Sequence, residues 1–178
     1  MNLPNKLTVA RMILIVPFVV CMMLDSQGNG RFAALAIFVI ASLTDMLDGY
    51  LARKNHLVTN FGKFMDPLAD KLLVSAALIC LVSLHRIPAW VVIVIISREF
   101  AISGFRLIAS DNGIVIAAGW WGKCKTVSQM VMIIVLIANL GGTFAVIEQI
   151  LIWLSLALTV ISLIDYIVKN KNVLSMQS

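Results

Sequence analysis

DMLDGYLARKNHLVTNFGKFMDPLAD, residues Asp45–Asp70, carries four of the nine acidic residues of a chain that is 61% hydrophobic. Asp45 and Asp48 stand three apart, Asp66 and Asp70 four apart, and eighteen positions separate Asp48 from Asp66. Residues three or four apart share a helix face. The stretch therefore predicts two helices, each bearing one acid pair, joined by a reversing loop of about a dozen residues around Arg53 to Lys63. Side by side, the helices would form one pocket of four carboxylates. Like charges suppress one another's ionisation and desolvated carboxylates are costly, so an anionic quartet implies bound cations. Two divalent ions would balance it.

The surroundings of the acids repeat a design. Asp45, Asp48, Gly49 and Ala52 follow offsets 0, 3, 4 and 7, and Gly62, Asp66 and Asp70 follow 0, 4 and 8. Residues with almost no side chain next to the acids let a backbone or a bulky ligand come close. Arg53 can place a guanidinium at the rim, where a phosphate oxygen would lie.

Working outward, only 13% of the 178 residues are charged, well below the roughly 25% of a soluble domain. Pro, Gly and charge clusters divide the chain into six apolar runs near the bilayer length of about 20 residues: Leu7 to Leu24, Phe32 to Leu51, Asp66 to Leu84, Ala89 to Ile108, Thr126 to Leu140 and Ala145 to Val168. The expected fold is an all-α, polytopic membrane protein of six transmembrane helices, one domain over residues 1–178, with the acid cleft open to the cytoplasmic leaflet. The first run follows Lys6 and Arg11, but no small-residue cleavage site comes after it, so it reads as a retained helix.

In this layout one side carries Lys6, Arg11, Arg53, Lys54, Lys63, Lys71, Arg106, Lys123, Lys125, Lys169 and Lys171, and the other Arg31 and Arg86. The basic side is cytoplasmic by the positive-inside rule. The net charge of +5 thus belongs to one face, suited to anionic lipid or phosphate. Nucleic acid is excluded as a partner for want of a soluble basic module or aromatic platform. Cys21, Cys80 and Cys124 make no metal or disulfide framework. Asn5, Lys6, Thr8 and Arg11 read as a polar helix edge at the lipid headgroups, His85 to Pro88 as a tight outer turn with His85 interfacial, and Glu148 and Asp165 as solvated or interfacial acids. The four tryptophans fit an interfacial belt.

Written as D-M-L-D-G-Y-L-A-R, eight residues, then G-K-F-M-D-P-L-A-D, the opening stretch resembles the signature of the CDP-alcohol phosphotransferase family, and all eight fixed positions are met. The resemblance covers essentially the whole chain. It implies transfer of a phosphatidyl or related group from a CDP-linked donor to an alcohol, with release of CMP. It further implies that Asp45, Asp48 and Asp66 bind divalent metal, Mg2+ or Mn2+, and that Asp70 binds metal and acts as general base. Asn5, Thr8, Asp45, Gly49, Ala52, Arg53 and Gly62 would hold the CDP donor, and the enzyme would be a homodimer in the bacterial cytoplasmic membrane, its active site facing the cytoplasm.

The signature does not select the alcohol. Arg98 and Arg106 lie eight apart on the fourth run, and Lys123 and Lys125 precede the fifth; four cations suit a phosphorylated acceptor. Glu99 reads as a counter-charge to one of the arginines. The stretches SREFAISGFR from Ser97 and GKCKTVSQM from Gly122 are similar to the bacterial phosphatidylglycerophosphate synthases. That likeness implies CDP-diacylglycerol and sn-glycerol 3-phosphate as substrates, with Arg98, Arg106, Lys123 and Lys125 on the acceptor phosphate. Inositol phosphate, or phosphatidylglycerol as in cardiolipin synthesis, are alternative acceptors. A divalent-cation transporter is a rival class, but acid pairs near one membrane edge, rather than at the midplane of inverted repeats, argue against it.

Overall fold

The computed structural model describes residues 3–24, 30–54, 60–111, 116 and 119–170, with side chains at 8–24, 30–44, 68–109, 116 and 119–170. Among the described residues there are six helices and no strand: α1 (Leu3–Met23), α2 (Gly30–Lys54), α3 (Asn60–Ser83), α4 (Ala89–Asp111), α5 (Trp120–Ala138) and α6 (Phe144–Lys169). Two of them, α5 and α6, are long and apolar enough to cross a membrane. Hydropathy places the elements correctly but cuts them short. Helix α2 runs on to Lys54 and α3 starts at Asn60, so Arg53 and Gly62 are helical rather than part of a dozen-residue loop. Likewise α5 starts at Trp120, which puts Lys123 and Lys125 inside the helix rather than ahead of it. Lysine is a good helix former; charge ends an apolar run without ending a helix.

The chain divides into two compact units. The first holds α1, α2, α3 and the segment Leu136–Asn139. Helix α1 packs along both α2 and α3, which touch each other over a shorter stretch. Ala34, Phe38 and Ala41 of α2 and Ala69, Leu73, Ala77 and Leu81 of α3 are buried at helical spacing. Alanines on these stripes let the backbones approach closely. Phe18 of α1 meets Phe38 with ring centroids 6.0 Å apart. Arg31 donates from Nη1 to the Asn139 carbonyl at 3.3 Å.

The second unit comprises α4, α5 as far as Val135, and α6. Helix α6 is inverted relative to a soluble helix. It buries Glu148, Ile152, Ser155, Thr159, Ser162 and Tyr166 in one stripe and exposes Val146, Ile150, Trp153, Ile164, Ile167 and Val168. The serine and threonine hydroxyls along the stripe are satisfied: Thr159 Oγ1 donates to the Ser155 carbonyl at 2.7 Å, Ser162 Oγ to the Thr159 carbonyl at 2.9 Å, and the Ser128 and Ser155 hydroxyls pair at 3.0 Å. A polar seam inside and an apolar surface outside is the arrangement lipid selects, because hydrocarbon offers no hydrophobic gain for burying leucine and valine. Glu148, expected to be solvated or interfacial, is buried on this stripe. Asp165 is half-buried and paired with Lys169 one turn on, at 2.7 Å.

The α3–α4 connection is as tight as its sequence suggests. The Arg86 N–H bonds the Leu81 carbonyl and the His85 N–H bonds that of Val82, both at 2.9 Å, with His85 at φ 55°. This is a Schellman cap with a histidine at the left-handed position. Pro88 follows, and its carbonyl receives the first amides of α4, from Val91 and Val92.

Candidate functional site

Unbroken helix through 30–54 and 60–83 preserves the offsets on which the acid stripes depend. Asp45, Asp48, Gly49, Ala52 and Arg53 lie on α2, and Gly62, Asp66 and Asp70 on α3, all in the first unit. The side chains of Asn5 and of all these residues except Asp70 lie outside the described ones. Asp70 is half-buried, between Ala69 and Leu73, which face the core.

Two residues read as headgroup contacts are corrected by their burial. Thr8 is wholly inaccessible and Arg11 is 2% exposed, inside the unit that carries the four aspartates. A polar helix end suits a headgroup or a protein interior equally well, and only the packing of α1 on α2 and α3 decides. A guanidinium removed from water needs compensating charge. Arg11 thereby joins the residues that shape the electrostatics of the acid-bearing unit.

The basic residues form a second group, in the other unit. Arg98 is buried at 9% exposure, and its Nη2 comes within 3.7 Å of where a Cβ on Gly122 would stand. The neighbouring Glu99 forms an ion pair with Lys125 of α5, not with either arginine. Lys125 is fully buried while Lys123 is exposed. Residues 98 and 99 of α4 thus meet the first turns of α5 at 122 and 125. Arg106 lies eight residues further on, about 12 Å along the helix at 1.5 Å per residue. There its Cζ stands 5.8 Å from the centre of the Tyr166 ring on α6. Neither arginine makes an ion pair among the described residues.

Sequence reasoning missed Tyr166. It is buried, its hydroxyl has no hydrogen-bond partner among the described residues, and Phe105 meets its ring edge-on with centroids 5.5 Å apart at 83°. A tyrosine at the end of an apolar run gives no sign of which helix it faces. The three cysteines form no disulfide among the described residues.

Comparison with known proteins agrees with the signature. A family model described as CDP-alcohol phosphatidyltransferase matches residues 1–161. The CDP-diacylglycerol–glycerol-3-phosphate 3-phosphatidyltransferase of Bacillus subtilis is 46% identical, over 95% of this chain and 95% of its own length. The enzyme of the same name from Haemophilus influenzae is 40% identical over 93% of this chain and 91% of its own. A probable phosphatidylglycerophosphate synthase of Mycobacterium tuberculosis is 38% identical over 94% of this chain and 81% of its own.

Proposed function

The chain belongs to the CDP-alcohol phosphatidyltransferase family, and from that premise we propose that it transfers the phosphatidyl group of CDP-diacylglycerol to sn-glycerol 3-phosphate, forming phosphatidylglycerophosphate and releasing CMP. The observation that carries the transfer chemistry is the complete eight-position signature set on two unbroken helices of one unit, and the acceptor rests on the similarity to relatives named CDP-diacylglycerol–glycerol-3-phosphate 3-phosphatidyltransferase.

The donor set fits divalent cations, on which the family generally depends. Four carboxylates are hard oxygen ligands of the kind Mg2+ and Mn2+ prefer. Asp45, Asp48, Asp66 and Asp70 would hold two such ions; the described side chains, which include only Asp70 of the four, form no metal cluster by themselves. When bound, the ions supply neutralising charge for the diphosphate and for the departing CMP. Asp70 accepts the proton of the acceptor hydroxyl. The hydroxyl oxygen then bonds the phosphorus that bears the diacylglycerol, and the bond from that phosphorus to the CMP oxygen breaks. Gly49, Ala52 and Gly62 leave room for the nucleotide, Arg53 contacts its phosphates, and Asn5 and Thr8 support the same ligand from α1.

Acceptor choice falls to the basic residues. Arg98 and Arg106, without acid partners among the described residues, are suited to the two negative charges of a phosphomonoester. Exposed Lys123 adds a third positive charge. Lys125, ion-paired with Glu99, completes the cationic group. The inverted polarity of α6 and the one-sided distribution of Lys and Arg support six spans in the bacterial cytoplasmic membrane, with the cleft toward the cytoplasm and residues 1–178 acting as one catalytic domain. The family resemblance supports a homodimer.

The test is incubation of the purified protein with CDP-diacylglycerol, Mg2+ or Mn2+ and a panel of alcohols, followed by identification of the lipid product and of CMP. Phosphatidylglycerophosphate as the dominant product is expected. Preference for inositol phosphate or phosphatidylglycerol would reassign the acceptor, and ion flux without CMP release would place the chain among transporters.

A further inference from the structure

The second unit holds two of its cations in different ways. Lys125 is matched by the carboxylate of Glu99. Arg106 has no ion pair among the described residues; its Nε is buried without a hydrogen-bond partner, and its guanidinium carbon stands 5.8 Å from the Tyr166 ring centre. The nearest acid in sequence to that ring, Asp165, is engaged by Lys169 at 2.7 Å. The ring itself is held: Tyr166 is 8% exposed and Phe105 packs edge-on against it at 83°.

Holding an arginine by an aromatic face differs chemically from holding it by an acid. A carboxylate would cancel the positive charge and occupy the planar fork of N–H donors. A ring attracts the cation through its quadrupole while leaving the net charge intact and the donors available to a ligand. From this we propose that Tyr166 is a positioning residue, whose ring orients Arg106 toward the phosphate of the acceptor without neutralising it. The inference rests on the reading that Arg106 contacts that phosphate. It assigns to α6 a part in acceptor recognition that neither the aspartate signature nor the arginine and lysine pattern contains.

The test compares Tyr166→Leu, the unbranched and more adaptable Tyr166→Met, Tyr166→Phe and Arg106→Ala in the full-length purified enzyme, with melting temperature measured for each. Loss of the aromatic face in Tyr166→Leu or Tyr166→Met should raise the KM for sn-glycerol 3-phosphate about fivefold, the scale of a partly desolvated cation–π contact. KM for CDP-diacylglycerol and kcat should stay within about twofold. Tyr166→Phe, which keeps the ring, should behave as wild type, and adding Tyr166→Met to Arg106→Ala should cause no further rise, because the two act through one group. If Tyr166→Leu precipitates the protein, Tyr166→Met carries the comparison. An unchanged acceptor KM in Tyr166→Met, when Arg106→Ala raises it tenfold or so, would overturn the role of Tyr166 alone. So would equal rises for both substrates, or a loss in Tyr166→Phe as large as in Tyr166→Met. An unchanged acceptor KM in Arg106→Ala itself would overturn the reading of Arg106 and this inference with it.

Discussion

Glu99 of α4 and Lys125 of α5 form an ion pair in which the lysine side chain is fully buried and the glutamate 22% exposed. Removing one partner of such a pair is worse than removing both, because the remaining charge stays out of water with less to compensate it. Glu99→Gln is therefore expected to cost on the order of 2–3 kcal/mol, less than a fully buried pair because Glu99 keeps some solvent. The double variant Glu99→Leu with Lys125→Met should recover most of that loss. Thermal melting of the three proteins in one detergent measures the difference. The refolded double variant also isolates the part of Lys125 in acceptor binding: its KM for sn-glycerol 3-phosphate should exceed that of wild type despite near-native stability.

The aspartates should separate by role. Asp70→Asn removes the proton acceptor and retains an oxygen ligand, so turnover should fall by about two to four orders of magnitude while CDP-diacylglycerol still binds. Asp45→Asn or Asp48→Asn removes a negative ligand and should in addition raise the Mg2+ or Mn2+ concentration needed for half-maximal activity. Titrating each metal against each variant checks this, and wild-type turnover by Asp70→Asn would contradict its assignment as base.

Much of this was legible in the residues because the cues were local. Six helices follow from apolar runs broken by Pro, Gly and charge, and the acid pairs from offsets of three and four. What escaped was decided by contacts between helices. Thr8 and Arg11 look the same whether they meet lipid headgroups or the α1 packing surface. Glu99 adjoins Arg98 in sequence yet pairs with Lys125, 26 residues away, because neighbours on a helix do not face each other. Glu148 looked interfacial from its place near a helix end, whereas the stripe it shares with Ser155 and Tyr166 is the buried side of α6. The helix ends were misjudged at 54, 60 and 120 for one reason: hydropathy measures what lipid tolerates, and a helix continues past it.

Gly122 gives a graded probe of Arg98. A Cβ there would stand 3.7 Å from Nη2, an ordinary contact, so Gly122→Ala should leave both substrate KM values near wild type. Gly122→Leu places further atoms where the guanidinium lies and must move it. The expected result is a rise of several-fold, roughly 1 kcal/mol, in the KM for sn-glycerol 3-phosphate with little change for CDP-diacylglycerol. Equal rises for both substrates would mean that Arg98 does not divide acceptor from donor.

His85 offers a stability prediction independent of catalysis. Its φ of 55° lies in the left-handed region, which costs a residue with a Cβ about 1 kcal/mol relative to glycine. The hydrogen bonds from Arg86 to Leu81 and from His85 to Val82 use backbone atoms alone and survive a change of side chain. Glycine also gains flexibility in the unfolded chain, which offsets part of the relief. His85→Gly should thus raise stability by roughly 0.5 kcal/mol, whereas His85→Val, with a β-branched side chain at positive φ, should lower it by more than that. Melting temperatures in the order Gly above His above Val, with the KM values of both substrates unchanged, are the expected outcome. A His85→Val variant as stable as wild type would show that this turn does not hold its left-handed conformation in the purified protein.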